Sequence, residues 1–229
     1  MKNKIFIIIL SFVPFLIIQA QTDTVSSKFI SKMNEYRQSK NMHALKKLRQ
    51  INEAAKFLSD NETFNQDQLN YDSIRTFLRM RHIYDYQVKV ILNNGLSNDL
   101  DTQVKETIID SSYNLTGSYF NGNKLLIIFL KSYIQWHSLQ MDSLSGYYMD
   151  DFHKSSKIVK HGYHVQFQTT LPEVKYVLLE NLNDLDKIKN YISIIPHNGL
   201  IELRKLSYKN PYVVFFNSNS QIIYIYEQH

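Results

Sequence analysis

The sequence predicts an α/β protein in which a helix-and-sheet unit is followed by a smaller, strand-rich α+β unit. Three observations carry this: helical spacing of apolar residues from Phe29 to Leu58, strands alternating with helices between residues 84 and 133, and a run of strand signals after a stretch without period.

The first twenty residues combine a basic start (Lys2, Lys4), an apolar run from Ile5 to Ile18, and a small residue, Ala20, just before Gln21. This is the pattern of a secretory signal peptide over residues 1–20. The run would reach only ~21 Å as a helix, short of a ~30 Å hydrocarbon core. The mature chain is therefore expected to begin at Gln21, without a membrane span, and to be secreted or periplasmic. There is no cysteine, which excludes disulfides, thiolate metal sites and cysteine nucleophiles. Without Lys2 and Lys4 the balance is 24 basic against 21 acidic residues, evenly spread. That is too mild to predict a nucleic-acid partner.

Residues 21–27 (QTDTVSS) read as a short polar lead. From Lys28, Phe29, Ile30, Met33 and Tyr36 have helical spacing, with Ser27 as the expected cap. Leu45, Leu48, Ile51, Ala55 and Leu58 continue the period on a second helix, and residues 72–80 read as a third. "YDYQVKVIL" alternates and predicts a strand ending at Asn93-Asn94-Gly95. Residues 97–112 place Leu100, Val104 and Ile108, with Ile109 at the margin, on one helical face. "LTGSYF", "NGNK" and "LLIIFLKSY" form a hairpin signal, because Asn-Gly supplies the positive φ of a tight turn. Residues 136–157 lack a period and read as a linker or long loop. The remainder reads strand (162–170), strand (174–181), helix (183–195, capped by Asn183 or Asp184), strand (200–208) and a closing hairpin over 212–226. In that hairpin, Val213 and Phe215 share one face and Tyr212, Val214 and Phe216 the other, which predicts a central, buried strand rather than an exposed aromatic platform.

The opening carries a pattern, Asn34-x-Tyr36-Arg37, then Leu45, Ile51 and Ala55 at fixed spacings. It resembles the CAP superfamily of cysteine-rich secretory proteins, antigen 5 and pathogenesis-related proteins. The resemblance covers about residues 28–135 and implies a three-layer α-β-α sandwich of CAP type, followed by a strand-rich region at 158–229. In the family, a cleft with two histidines and two acidic residues can hold a divalent metal. Position by position, the resemblance puts Leu58 where the family has histidine, and Val90 or Ile91 where it has the glutamate of a G-E-N strand. Thr107, Asp110 and Tyr113 fall on its W-x-x-S-x-x-H helix, with Tyr113 in place of the second histidine; another register brings Ser132 and His137 near that motif. Leucine, valine and isoleucine offer no lone pair to a cation, so neither the family's metal nor any other cofactor is expected. Leu58 is expected to pack with Ile51 and Ala55.

The resemblance implies a secreted, non-catalytic binding or structural module, its partner an unassigned glycan, lipid or protein ligand. A secreted hydrolase using His137, Asp150 and His153 is the competing reading, and an unrelated α/β domain the third. His153, His161 and His164 with Asp150 and Asp151 are the densest group of potential ligands. On a single strand, however, His161 and His164 would point to opposite faces. No G-x-S-x-G, H-E-x-x-H, phosphate loop or dinucleotide fingerprint occurs. Asp23-Thr24-Val25, Asp72-Ser73-Ile74 and Asp142-Ser143-Leu144 match the Asp-(Ser/Thr)-apolar acceptor tripeptide for O-glycans on secreted proteins of Bacteroidetes-type bacteria.

Overall fold

A computed structural model describes residues 24–60, 71–81, 83–94, 100–122, 124–134, 139–150, 152, 155–161, 164–188, 193–195, 200–204 and 212–228. Residues 1–20, and with them the signal-peptide reading, lie outside the described residues. No described helix is long and apolar enough to cross a membrane. The chain divides into two units, one built from the chain up to Ile74 with Val88–Leu130, the other from Arg75–Gln87 with Lys131–His229.

In the first unit, helix α1 is present from residue 24 to 39. It starts earlier than the polar composition of residues 21–27 suggested. Val25 extends the stripe of Phe29, Ile30 and Met33 by one turn, and it packs against the same core cluster. Ser27 lies inside the helix and is not its cap; its hydroxyl accepts from Lys47 Nζ at 2.9 Å. The second helix also differs from expectation. Leu45 lies outside any helix, Lys46–Lys47 form a short strand, β1, and helix α2 begins only at Arg49, running to Asp60. The cause is local. The Asn34 side chain takes both backbone groups of Leu45, donating to its carbonyl at 3.1 Å and accepting from its N–H at 2.8 Å, which holds the chain open where a helix would close on itself.

Helix α3 (Tyr71–Arg79) leads to strand β2 (Asp85–Asn94), helix α4 (Thr102–Ile108) and an antiparallel hairpin, β3 (Leu115–Phe120) and β4 (Lys124–Ser132). The order in the sheet is β1-β3-β4-β2, with β1 parallel to β3. β2 and β4 thus share one sheet, as the sequence predicts. At the hairpin, Gly122 has φ +96°, and Asn121 Oδ1 accepts from the Lys124 N–H at 2.9 Å. Register pairs Thr116, Ser118 and Phe120 with Phe129, Ile127 and Leu125 on one face, and Leu115, Gly117 and Tyr119 with Leu130, Ile128 and Leu126 on the other. The first face joins Phe29, Ile30 and Met33 of α1 and Val104 and Ile108 of α4 in one core cluster. The second meets α2 at Gly117, where an added Cβ would stand 2.6 Å from the Asn52 nitrogen and 2.7 Å from the Ile51 Cβ.

α4 is shorter than its sequence period. Its start is set by Asp101, whose Oδ1 accepts from the Val104 N–H at 2.7 Å, and Ile109, expected at the margin of the apolar face, is its half-exposed C-cap. Asp101→Ala is expected to lower stability by ~1 kcal/mol through loss of that cap, measurable as a shift of the urea midpoint with unchanged slope.

The second unit is built mainly of strands. Within residues 136–157, expected as a linker or long loop, stands a hairpin, β5 (Leu139–Asp142) and β6 (Tyr147–Asp150). A second hairpin, β7 (Ser156–His161) and β8 (His164–Thr169), replaces the single strand expected over 162–170. β9 (Val174–Leu179) follows as expected. The helix expected over 183–195 is instead a 3-10 turn at Leu182–Lys187, capped by Asn181, and then strand β10 (Ser193–Ile195). The chain closes with β11 (Leu200–Arg204), β12 (Tyr212–Phe216) and β13 (Ile222–Glu227). β12 lies between β9 and β13 and is buried on both faces, the central strand its pattern predicts. Val213, Phe215, Tyr224 and Tyr226 pack with Phe152 and Phe167 on one side, where Phe152 stacks on Tyr224 at 4.6 Å between ring centroids. Val214, Phe216 and Ile225 pack with Tyr84 and Leu182 on the other.

Candidate functional site

The residues that carry the opening pattern have defined tasks. Asn34 and Arg37 lie one turn apart on α1, so both point away from its exposed face. Arg37 is only 2% exposed. Its guanidinium donates to four carbonyls: His43 and Ile108 at 2.6 Å each, and Asp110 and Tyr113 at 3.3 Å each. Ile108 and Asp110 stand at the C-terminal end of α4, where unpaired carbonyls give a partial negative charge. Burial lowers the guanidinium's pKa and the nearby Asp110 charge raises it, in that order of size. Asp110 is itself held locally, its Oδ1 accepting from the Ser112 N–H at 2.9 Å and from the Ser112 hydroxyl. Thr107, the first of the three positions matched to the family helix, donates its hydroxyl to the Gln103 carbonyl at 2.8 Å. All of this is structural chemistry: four carbonyls and a helix end gathered by one cation.

The positions that the resemblance makes into a cleft are not brought together as a set. Ile91 and Tyr113 lie in the core cluster beneath α1 and α4, with the Tyr113 ring 5.9 Å from Phe129. Val90, one residue earlier on β2, faces the opposite side of the sheet and is buried. Leu58 sits in the last turn of α2 and is half-buried, whereas Ile51, Ala54 and Ala55 are fully buried. Leu58, expected to pack with Ile51 and Ala55, is less deeply buried than either. Leu58→Ala should accordingly cost about 1 kcal/mol rather than the several typical of a core leucine, read from urea unfolding.

Of the competing groups, His137 and His153 lie outside the described residues, and of Asp150 only the backbone, paired with Leu139, is described. His161 and His164 lie on two strands, paired across the end of the β7–β8 hairpin, rather than on the one strand expected. Among the described residues no three His, Asp or Glu side chains converge. Two surface depressions lie along α1. One of about 590 Å³ is lined by Thr24, Ser27, Lys28, Ser31, Lys32 and Glu35. The other, about 510 Å³, lies between Asn34, Glu35 and Gln38 and the Met42–Ala44 loop. Neither touches Leu58, Val90, Ile91 or Tyr113.

The sequence pattern found Asn34 and Arg37. It gave no weight to Gly117, on which α2 rests, or to Asn52, whose Oδ1 accepts from the Ser118 N–H at 3.0 Å and fixes α2 along β3. A glycine inside an apolar strand was the available signal, because it marks close approach of another backbone.

No family model matches the chain, and no curated protein matches it. Among solved structures, a cysteine-rich secretory protein from Staphylococcus aureus is similar over 48% of this chain and 40% of its own, with 18% identity and a TM-score of 0.42. An extracellular protein containing an SCP domain from Bacillus anthracis is similar over 50% of this chain and 42% of its own, with 12% identity and a TM-score of 0.42. An outer surface protein from Borrelia burgdorferi is similar over 46% of this chain and 91% of its own, with 18% identity and a TM-score of 0.36. The chain thus spans less than half the length of the first two.

Proposed function

We propose that residues 28–135 form a degenerate CAP-type domain, a three-layer α-β-α sandwich, followed by the segment 136–157 and a strand-rich region at 158–229. After removal of residues 1–20 the protein acts outside the cytoplasm as a non-catalytic binding or structural module for a glycan, lipid or protein ligand. One observation carries the reading: Asn34 and Arg37, the most specific residues of the pattern, serve as backbone anchors, while the family's ligand positions are occupied by Leu58, Val90 or Ile91, and Tyr113. The scaffold chemistry is retained and the donor set is not. Aliphatic side chains give a cation nothing to bind, and a phenol wedged against Phe129 is a poor substitute for an imidazole.

The test is thermal unfolding of the mature chain with zinc, with calcium and with chelator, repeated for Leu58→His. The expected result is one melting temperature across all conditions for both chains, and near-wild-type stability for the variant, since residue 58 stands partly in water. A rise in melting temperature with zinc in either chain would reject the loss of the metal site. Mass spectrometry of protein from the native source should find the first residue to be Gln21; retention of residues 1–20 would reject export.

A further inference from the structure

We propose that Ser143 is an O-glycan acceptor, presented by the tip of the β5–β6 hairpin. Three tripeptides in the chain share the order acid, hydroxyl, apolar residue, and the fold treats them differently. In Asp72-Ser73-Ile74 the triplet is wound into α3 and Ile74 is buried in the core. A transferase could read it only after unwinding the helix. Thr24 is already helical, and the following Val25 packs against the core cluster. Of the three, only Asp142-Ser143-Leu144 runs from a strand end into a turn, with Ser143 exposed and Leu144 98% exposed.

The turn is also braced by hydrogen bonds of its own. The Gly146 N–H donates to the Asp142 carbonyl at 2.9 Å, and Gly146 adopts the left-handed conformation with φ +68°. The Asp142 carboxylate accepts from the Leu144 N–H at 3.1 Å, a side-chain turn that projects the intervening residue outward. The neighbouring Ser145 is engaged, its hydroxyl accepting from the Tyr147 N–H at 3.3 Å. A single exposed leucine is ordinary on any surface. One standing in water directly after an exposed hydroxyl and a fixed carboxylate is a recognition element. Hairpin tips are, moreover, where modifying enzymes gain access without unfolding their substrate.

The reaction is a glycosyl transfer. The bond from the anomeric carbon to the phosphate of an activated sugar, carried as a sugar diphosphate on a lipid or nucleotide, breaks, and its electron pair leaves with the phosphate. The anomeric carbon bonds to Ser143 Oγ, and the hydroxyl proton passes to a base of the transferase. This inference rests on export, since such a transferase acts along the secretory route.

The experiment is peptide mass spectrometry on the full chain purified from its native source, in wild-type, Ser143→Ala and Asp142→Asn forms. The expected result is a sugar mass on the tryptic peptide Ser132–Lys154, assigned to Ser143 by electron-driven fragmentation and absent from both variants. The peptides carrying Thr24 and Ser73 should be unshifted. An unshifted Ser132–Lys154 peptide, a shift that survives Ser143→Ala, or a mass removed by phosphatase would each overturn the proposal. The amino terminus, read in the same data, tells whether export failed as well: an unmodified chain beginning at Gln21 rejects the glycan alone.

Discussion

Arg37→Ala is expected to be among the most destabilising single substitutions in the first unit, lowering stability by ~3–5 kcal/mol in urea unfolding. Truncation removes a donor from the Ile108 and Tyr113 carbonyls, which Arg37 reaches through buried hydrogen bonds. Each buried bond lost in this way costs ~1–3 kcal/mol. It also removes the positive charge at the C-terminal end of α4, a further few tenths to ~1 kcal/mol. Arg37→Lys keeps the charge but not the planar fork. One ammonium has three donors and cannot address carbonyls on the 43, 108, 110 and 113 backbones at once, so it should recover less than half of the loss. Equal stability of wild type and Arg37→Ala would mean that these bonds do not hold α1 to α4.

Gly117→Ala is the second large expectation, at ~3 kcal/mol or more. The added methyl would meet the α2 backbone, the Asn52 nitrogen and the Ile51 carbonyl carbon, at 2.6 Å, and main chain cannot rotate aside as a side chain would. Relief requires α2 to lift from β3, which weakens the Asn52–Ser118 hydrogen bond and opens the packing of Ile51 and Ala55; overpacking that shifts side chains and backbone costs ~1–3 kcal/mol, occasionally more. A crystal structure of the variant should show α2 displaced outward. A variant with unchanged stability and an unmoved helix would contradict the close approach.

Much of the first unit was legible because its helices and strands differ in period. Phe29, Ile30 and Met33 could only share a helical face, and the Asn-Gly pair at 121–122 could only close a hairpin. Where the reading failed, two periods coincided. Leu45 and Leu48 are three apart, which suits a helix as well as the strand-then-helix junction that Asn34 enforces. Leu182, Leu185 and Ile188 are also spaced by three. They form the apolar edge of a 3-10 turn, in which every third residue eclipses the first, and three residues per turn is close enough to 3.6 to pass for an α-helix. In β5 and β6, Leu139 and Met141 do alternate with Gln140 and Asp142, but strands of four residues are too short to rise above background. For the candidate site, the pattern located Asn34 and Arg37 without revealing their task, since hydrogen bonds to carbonyls of Ile108, Asp110 and Tyr113 leave no mark on the partners' side-chain identities. Leu58 shows a related limit: periodicity says which way a residue faces, and it does not say how deeply it is buried.

The anchoring of Arg37 also sets an order of events. Its partners Ile108, Asp110 and Tyr113 lie 71, 73 and 76 residues farther along the chain. A ribosome delivers α1 first, and α1 then has no lasting place until α4 has been made. Closing so long a loop is slow and entropically costly, so docking of the first helix belongs late in folding. Substitutions at Arg37 should therefore speed unfolding more than they slow folding. Until that late step α1 remains unlocked, so the exposure of its apolar face should be the last signal to reach its native value during refolding.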